Sequence, residues 1–178
     1  HFSIAALPGI KERCIYVNGF SKAFAMTGWR LGYAMAPAAI MHEMIKIHQY
    51  CIMSSPTISQ YAAVYAMTDG DAETQMMRQA YDRRRKYLMR RFSDMDIPCF
   101  EPKGAFYIFP NIQEFGMTSE EFALELLQRK KVAVVPGSAF GCCGEGFLRI
   151  SYAYSLDDLR VAFDRIEEFI RELRKEKA

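Results

Sequence analysis

Charge of one sign is scarce in this 178-residue sequence: 23 Lys and Arg stand against 21 Asp and Glu, a formal net charge of +2. So small a surplus excludes a general attraction to nucleic acid, to an anionic membrane or to polyanionic substrates. Histidine is also scarce, with three residues. Five cysteines, at 14, 51, 99, 142 and 143, form no CxxC pair. Together these exclude an obvious zinc set and make a reducing, cytoplasmic setting the simplest reading. No apolar run approaches the roughly 20 residues needed to cross a bilayer, and the N-terminus lacks the charged-then-apolar build of a signal peptide. What is plentiful is core material: 51% of residues are hydrophobic and 25% charged, which fits one or two small globular domains. The chain opens at His1, not at a methionine, and runs straight into structured-looking sequence. That reads as the loss of a preceding segment.

Local patterns divide the chain in two. Cys14–Asn18 reads as a short buried strand, a Gly/Ser/Thr-bearing loop follows, and Arg30–Ala36 reads as a second strand. Helix formers run from after Pro37 to His48, and Pro56 closes a polar break before a helical run over Ser59–Met67. Asp69-Gly70-Asp71 reads as a turn at a domain boundary. The apolar spacing of Met77, Tyr81, Leu88, Phe92 and Met95 predicts one long amphipathic helix from Ala72, with a basic opposite face. Beyond Pro98, Ala105–Phe109 is rich in strand formers. Thr118 and Glu121 have the spacing of a capping box, which predicts a helix from Ser119 to about Lys131, followed by a strand over Val132–Val135. In Phe147–Ala153 the residues Leu148, Ile150 and Tyr152 alternate with Arg149 and Ser151, as in a half-buried strand. Ser155 and Asp158 cap a last helix whose apolar stripe is Leu159, Phe163, Ile166, Ile170 and Leu173. From about residue 70 onward the pattern is that of an α+β domain.

Taken by itself, Lys22 is a solvated loop lysine, the ordinary state of this residue. Its setting argues otherwise. The string Gly19-Phe20-Ser21-Lys22-Ala23-Phe24-Ala25-Met26-Thr27-Gly28-Trp29-Arg30-Leu31-Gly32 resembles, at every defined position, the cofactor-attachment signature of class I aminotransferases, enzymes of fold type I that depend on pyridoxal 5'-phosphate (PLP). The likeness extends to Phe2-Ser3-Ile4, Pro8–Arg13, Tyr33 and Pro37, and resumes in the last third of the chain. The chemistry asks for these residue types. PLP offers an aldehyde at one end, for which Lys22 would form a Schiff base, and a phosphate dianion at the other, which the planar guanidinium of Arg30 can hold bidentately. A neutral amine at Lys22 requires burial and a neighbouring positive charge, and Arg30 is that neighbour. Eight residues fully extended span about 27 Å, so the loop must fold back, and Gly28 and Gly32 would permit it.

The resemblance implies a fold of α/β and α+β type: residues 1–68 as the C-terminal remnant of the large PLP-binding domain, and 69–178 as the small domain. It also implies transfer of an amino group from an amino acid to a 2-oxo acid, with 2-oxoglutarate as acceptor, by ping-pong kinetics in a homodimer. Lys22 would be both anchor and general acid/base. Arg149, which composition alone would make an edge-strand residue facing water, matches the place where these enzymes hold the substrate α-carboxylate. Aspartate, aromatic and alanine-type specificities stay open. Two departures stand out. Gly19 occupies a position where several relatives carry a phosphate-binding serine, and the family's glycine-rich loop, pyridine-facing aspartate and O3'-facing Asn and Tyr would all precede this sequence. The 178 residues alone are therefore expected to have little or no transaminase activity. A C–S lyase of the same fold and a non-catalytic domain fragment are the rival readings. Other features take plain explanations. Arg83–Lys86 is a solvated helix face, His42 and His48 lie on different helical faces, and Cys142-Cys143 belongs to a loop.

Overall fold

The structure is a computed structural model and describes residues 2–177. The chain divides into two compact units, His1–Met77 and Arg78–Ala178. In the first, β1 (Tyr16–Gly19) and β2 (Gly32–Met35) form an antiparallel pair in register from Tyr16↔Met35 to Gly19↔Gly32. Between them runs α1 (Phe20–Ala23), a single turn, and a 3-10 turn at Thr27–Trp29. Two longer helices follow, α2 (Ala38–Cys51) and α3 (Thr57–Asp69). Pro37 and Pro56 stand immediately before them, where the missing N–H removes no helical bond. Phe20, Met26 and Ala63 form a small core, with Phe24, Leu31, Ala62 and Ala66 packed on it.

Three details differ from the sequence reading. The second strand begins at Gly32 because Arg30 is left-handed, with φ 53°, and cannot continue a pleat. The strand expected to be buried is not, since Val17 is 72% exposed; a two-stranded pair has no third strand among the described residues to cover it. The turn at residues 69–71 is a single-residue break between two helices. Gly70 donates its N–H to the Ala66 carbonyl, and a Cβ there would lie 2.5 Å from that oxygen. The next helix, α4 (Asp71–Asp94), starts at once.

The second unit has a three-stranded antiparallel sheet with the order β3 (Tyr107–Ile108), β5 (Leu148–Ser151), β4 (Val135–Pro136). Helices α4, α5 (Ser119–Lys130) and α6 (Leu156–Glu176) supply most of a continuous core that includes Leu88, Phe92, Phe122, Leu126, Phe163 and Phe169. Both predicted caps form. The Thr118 hydroxyl accepts the Glu121 N–H at 3.2 Å while the Glu121 carboxylate accepts the Thr118 N–H at 2.8 Å, and Ser155 caps Asp158 at 3.0 Å. The strand expected over Val132–Val135 shrinks to Val135–Pro136. Lys131 ends α5 in the left-handed region, and Pro136 has no N–H to extend the ladder. The run Arg83–Lys86 is partly tied to acids: Arg85 pairs with Asp82 at 2.7 Å and with Glu101, and Lys86 pairs with Asp82 at 2.8 Å. No helix among the described residues is long and apolar enough to cross a membrane.

Candidate functional site

The chain leaves β1 at Gly19, makes the excursion of residues 20–31 and re-enters β2 at Gly32. The neck is closed by the Phe20 N–H donating to the Leu31 carbonyl at 3.2 Å. Gly32 serves this neck, because a Cβ there would sit 3.0 Å from the Asn18 carbonyl oxygen. The turns themselves fall elsewhere than expected. Gly28 lies in open space without a left-handed backbone, and the two left-handed residues are Ala25 and Arg30, both at φ 53°. Each costs on the order of 1 kcal/mol relative to an ordinary conformation, so the surroundings must impose it. Around them Phe20 and Met26 are buried, and the Ser59 hydroxyl of α3 donates to the Trp29 carbonyl at 2.8 Å.

Lys22 lies in the only turn of α1 and is exposed, against the expectation of burial. The local cause is geometric. Phe20, two positions earlier, takes the buried side, and two residues advance a helix by about 200°. Arg30 is also exposed, and its guanidinium donates to the Thr27 carbonyl at 3.1 Å. The first unit thus carries one primary amine and one guanidinium on a single excursion. At its base, Asn18 donates to the Tyr16 hydroxyl at 2.6 Å. The Tyr33 hydroxyl is held above its ordinary pKa by desolvation and then by its bond with Tyr16.

Arg149 belongs to the second unit. It stands on β5, the central strand and not an edge, opposite Val135. Its neighbours Leu148 and Ile150 enter the core, so Arg149 takes the other face. There the guanidinium lies over two rings, 4.6 Å from the centroid of Tyr107 and 5.1 Å from that of Phe140. Its Nε is buried without a hydrogen-bond partner. Together with Val134, Ser151, Tyr154 and Asp158 it lines a cavity of about 620 Å³. Cation–π contact with two rings restrains such a guanidinium. Tyr107, Phe140 and Ser59 were not singled out from the sequence. The first two are lost among strand formers and loop residues, and nothing local marks Ser59. Among the described residues no cluster of His, Cys, Asp or Glu could hold a metal.

The first unit thus presents an amine and a guanidinium on one tight excursion, and the second, by itself, a guanidinium held over aromatic rings. The fold carrying them is that of an aminotransferase from Pyrococcus horikoshii OT3, a crystal structure described as an aromatic aminotransferase. It superposes with a TM-score of 0.93 at 49% identity, over 98% of this chain and 47% of that one. The family described as aminotransferase class I and II matches residues 3–166, and the chain belongs to it. It is 52% identical over 174 residues to an aspartate aminotransferase of Pyrococcus abyssi, covering 97% of this chain and 45% of that protein. With aromatic-amino-acid aminotransferase 2 of Thermococcus litoralis the identity is 46% over 97% of this chain and 45% of the relative. The chain therefore spans less than half the length of these relatives.

Proposed function

We propose that this chain is part of a PLP-dependent aminotransferase that moves an amino group from an amino acid to a 2-oxo acid, 2-oxoglutarate among them, in a cytoplasmic homodimer. Residues 1–68 would end its large domain and 69–178 would form the small one. The observation that carries the reading is the placement of Lys22 and Arg30 on one excursion, closed by the Phe20–Leu31 hydrogen bond. The donor set fits the group: an amine for an aldehyde carbon, and a guanidinium for a phosphate dianion.

When bound, PLP supplies an electron sink for the substrate α-carbon. Lys22 would hold it through its amine and would serve as the general acid/base that moves a proton at the substrate α-carbon. Arg30 would pair with the phosphate, and Arg149 with the substrate carboxylate. The exposure of Lys22 favours a further reading, that these 178 residues alone have little transaminase activity, because nothing here excludes water from the amine. The test is to incubate the chain with PLP, reduce with borohydride and locate the modified peptide by mass spectrometry. Modification concentrated at Lys22 and about tenfold weaker in Arg30→Ala is expected, the loss of one charge-assisted pair. Label spread evenly over the lysines, indifferent to Arg30, would sink the assignment of both residues.

A further inference from the structure

Ser59 has no part in the reading above, yet its position is unusual. Among the described residues the buried polar ones are Ser59 and Ser119, and Ser59 is 3% exposed. Its hydroxyl donates at 2.8 Å to the carbonyl of Trp29, thirty residues away in sequence. A hydroxyl can instead bond back to its own helix. Here it reaches across to the loop, to the peptide that joins Trp29 to Arg30. That peptide is where the backbone enters the left-handed conformation at φ 53° and ψ 48°. No glycine occupies this position and Arg30 is exposed, so burial of its own side chain does not hold it there. The guanidinium donates back to the Thr27 carbonyl, within the same turn.

We propose that Ser59 is the positioning residue for Arg30. By fixing the Trp29 carbonyl to α3 it holds the left-handed backbone from which the guanidinium presents itself to a phosphate dianion. The inference rests on the reading of Arg30 as a phosphate residue. It assigns to α3, through a neutral hydroxyl that never touches the ligand, part of the preference for a phosphorylated aldehyde over its unphosphorylated form. Freed of this bond, Arg30 can relax to ordinary backbone angles, and its side chain then leaves the excursion in another direction.

The test uses the 178-residue chain as wild type, Ser59→Ala, Ser59→Thr and Arg30→Ala, with PLP and pyridoxal as paired probes. The readout is the concentration giving half-maximal borohydride-trapped label at Lys22. Ser59→Ala should raise that concentration about tenfold for PLP and leave it unchanged for pyridoxal, which has no phosphate, while Ser59→Thr keeps the hydroxyl and stays near wild type. Amide exchange at Arg30 and Leu31, measured without cofactor, should quicken in Ser59→Ala alone. Equal weakening of both probes would mean that Ser59 is merely structural and would overturn the proposal, as would unchanged binding of both. If Ser59→Ala loses its helical circular dichroism, Ser59→Cys, which keeps the volume with a weak donor, carries the same comparison. Failure of the underlying reading looks different: Arg30→Ala would then bind PLP and pyridoxal as wild type does, whatever Ser59 does.

Discussion

Arg149 and Arg91 show how the same side chain serves two ends. Arg91 is 14% exposed and bonded to Asp164 at 2.8 Å, Glu167 at 3.0 Å and the Tyr87 hydroxyl at 2.7 Å. Its guanidinium is held charged by the Tyr87 and Asp164 bonds against the opposing effect of burial. Removing it unpairs the exposed Asp164, leaves Glu167 to Arg171 alone and empties the space over the Tyr87 and Phe163 rings, so Arg91→Ala should cost about 2 kcal/mol in urea unfolding. Arg149 lies over the Tyr107 and Phe140 rings, and its Nε is buried without a hydrogen-bond partner. Arg149→Met keeps the stacking volume and deletes the orphan donor, and should change stability by less than about 1 kcal/mol. A loss as large as that of Arg91→Ala would make Arg149 a structural residue and remove it from the site. The sequence made Arg149 visible as the one charge on an apolar strand. It could not show the two rings it lies over, because Tyr107 and Phe140 come from separate segments that only the folded sheet brings together.

At the scale of elements, local signals were read well where the physics is local. The capping box of α5, the Ser155 cap of α6 and the stripe from Leu159 to Leu173 all involve residues within a few turns of one another, and each formed. The extents of strands were less legible, since a strand lasts only as long as its partner can bond to it. Pro136 and the left-handed Arg30 each set such a limit. Least legible was the second anchor of α5. The Glu145 carboxylate, 26 residues away, accepts the Ser119 N–H at 2.7 Å, and the Ser119 hydroxyl accepts the Gly146 N–H at 2.8 Å. The Ser119 N–H, more than the Gly146 N–H, holds the Glu145 carboxyl below the usual carboxylate range. A folded-state pKa below the unfolded one gives stability that is complete above the ordinary value of 4.5 and is lost as pH falls through the lower folded value. Stability measured from about pH 5 to about pH 3 should therefore fall less steeply in Glu145→Gln than in wild type. Parallel acid limbs would show that the carboxylate is not bonded to α5 in solution.

Across the whole molecule the two units differ in how much they bury. The second closes a core of twenty buried residues, whereas the first buries Phe20, Met26 and Ala63 and leaves Val17, Ile47, Tyr50, Tyr61 and Tyr65 largely in water. An apolar surface of that kind asks for a cover. The relatives are more than twice as long as the chain that matches them, so they have ample further sequence with which to cover the corresponding surface. Local stability follows buried contacts, so amide exchange on the intact chain should be slowest in β5, α5 and α6. In α3 and the β1–β2 pair it should be at least about a hundredfold faster, a gap of about 3 kcal/mol. Adding, as a separate polypeptide, the segment that corresponds to the remaining length of a relative should slow the second set and leave the first unchanged. Equal protection in both units without that addition would mean that the first unit is self-sufficient. The excursion bearing Lys22 and Arg30 would then be as rigid alone as in a complete enzyme, and the exposure of Lys22 would have to be taken as its working state.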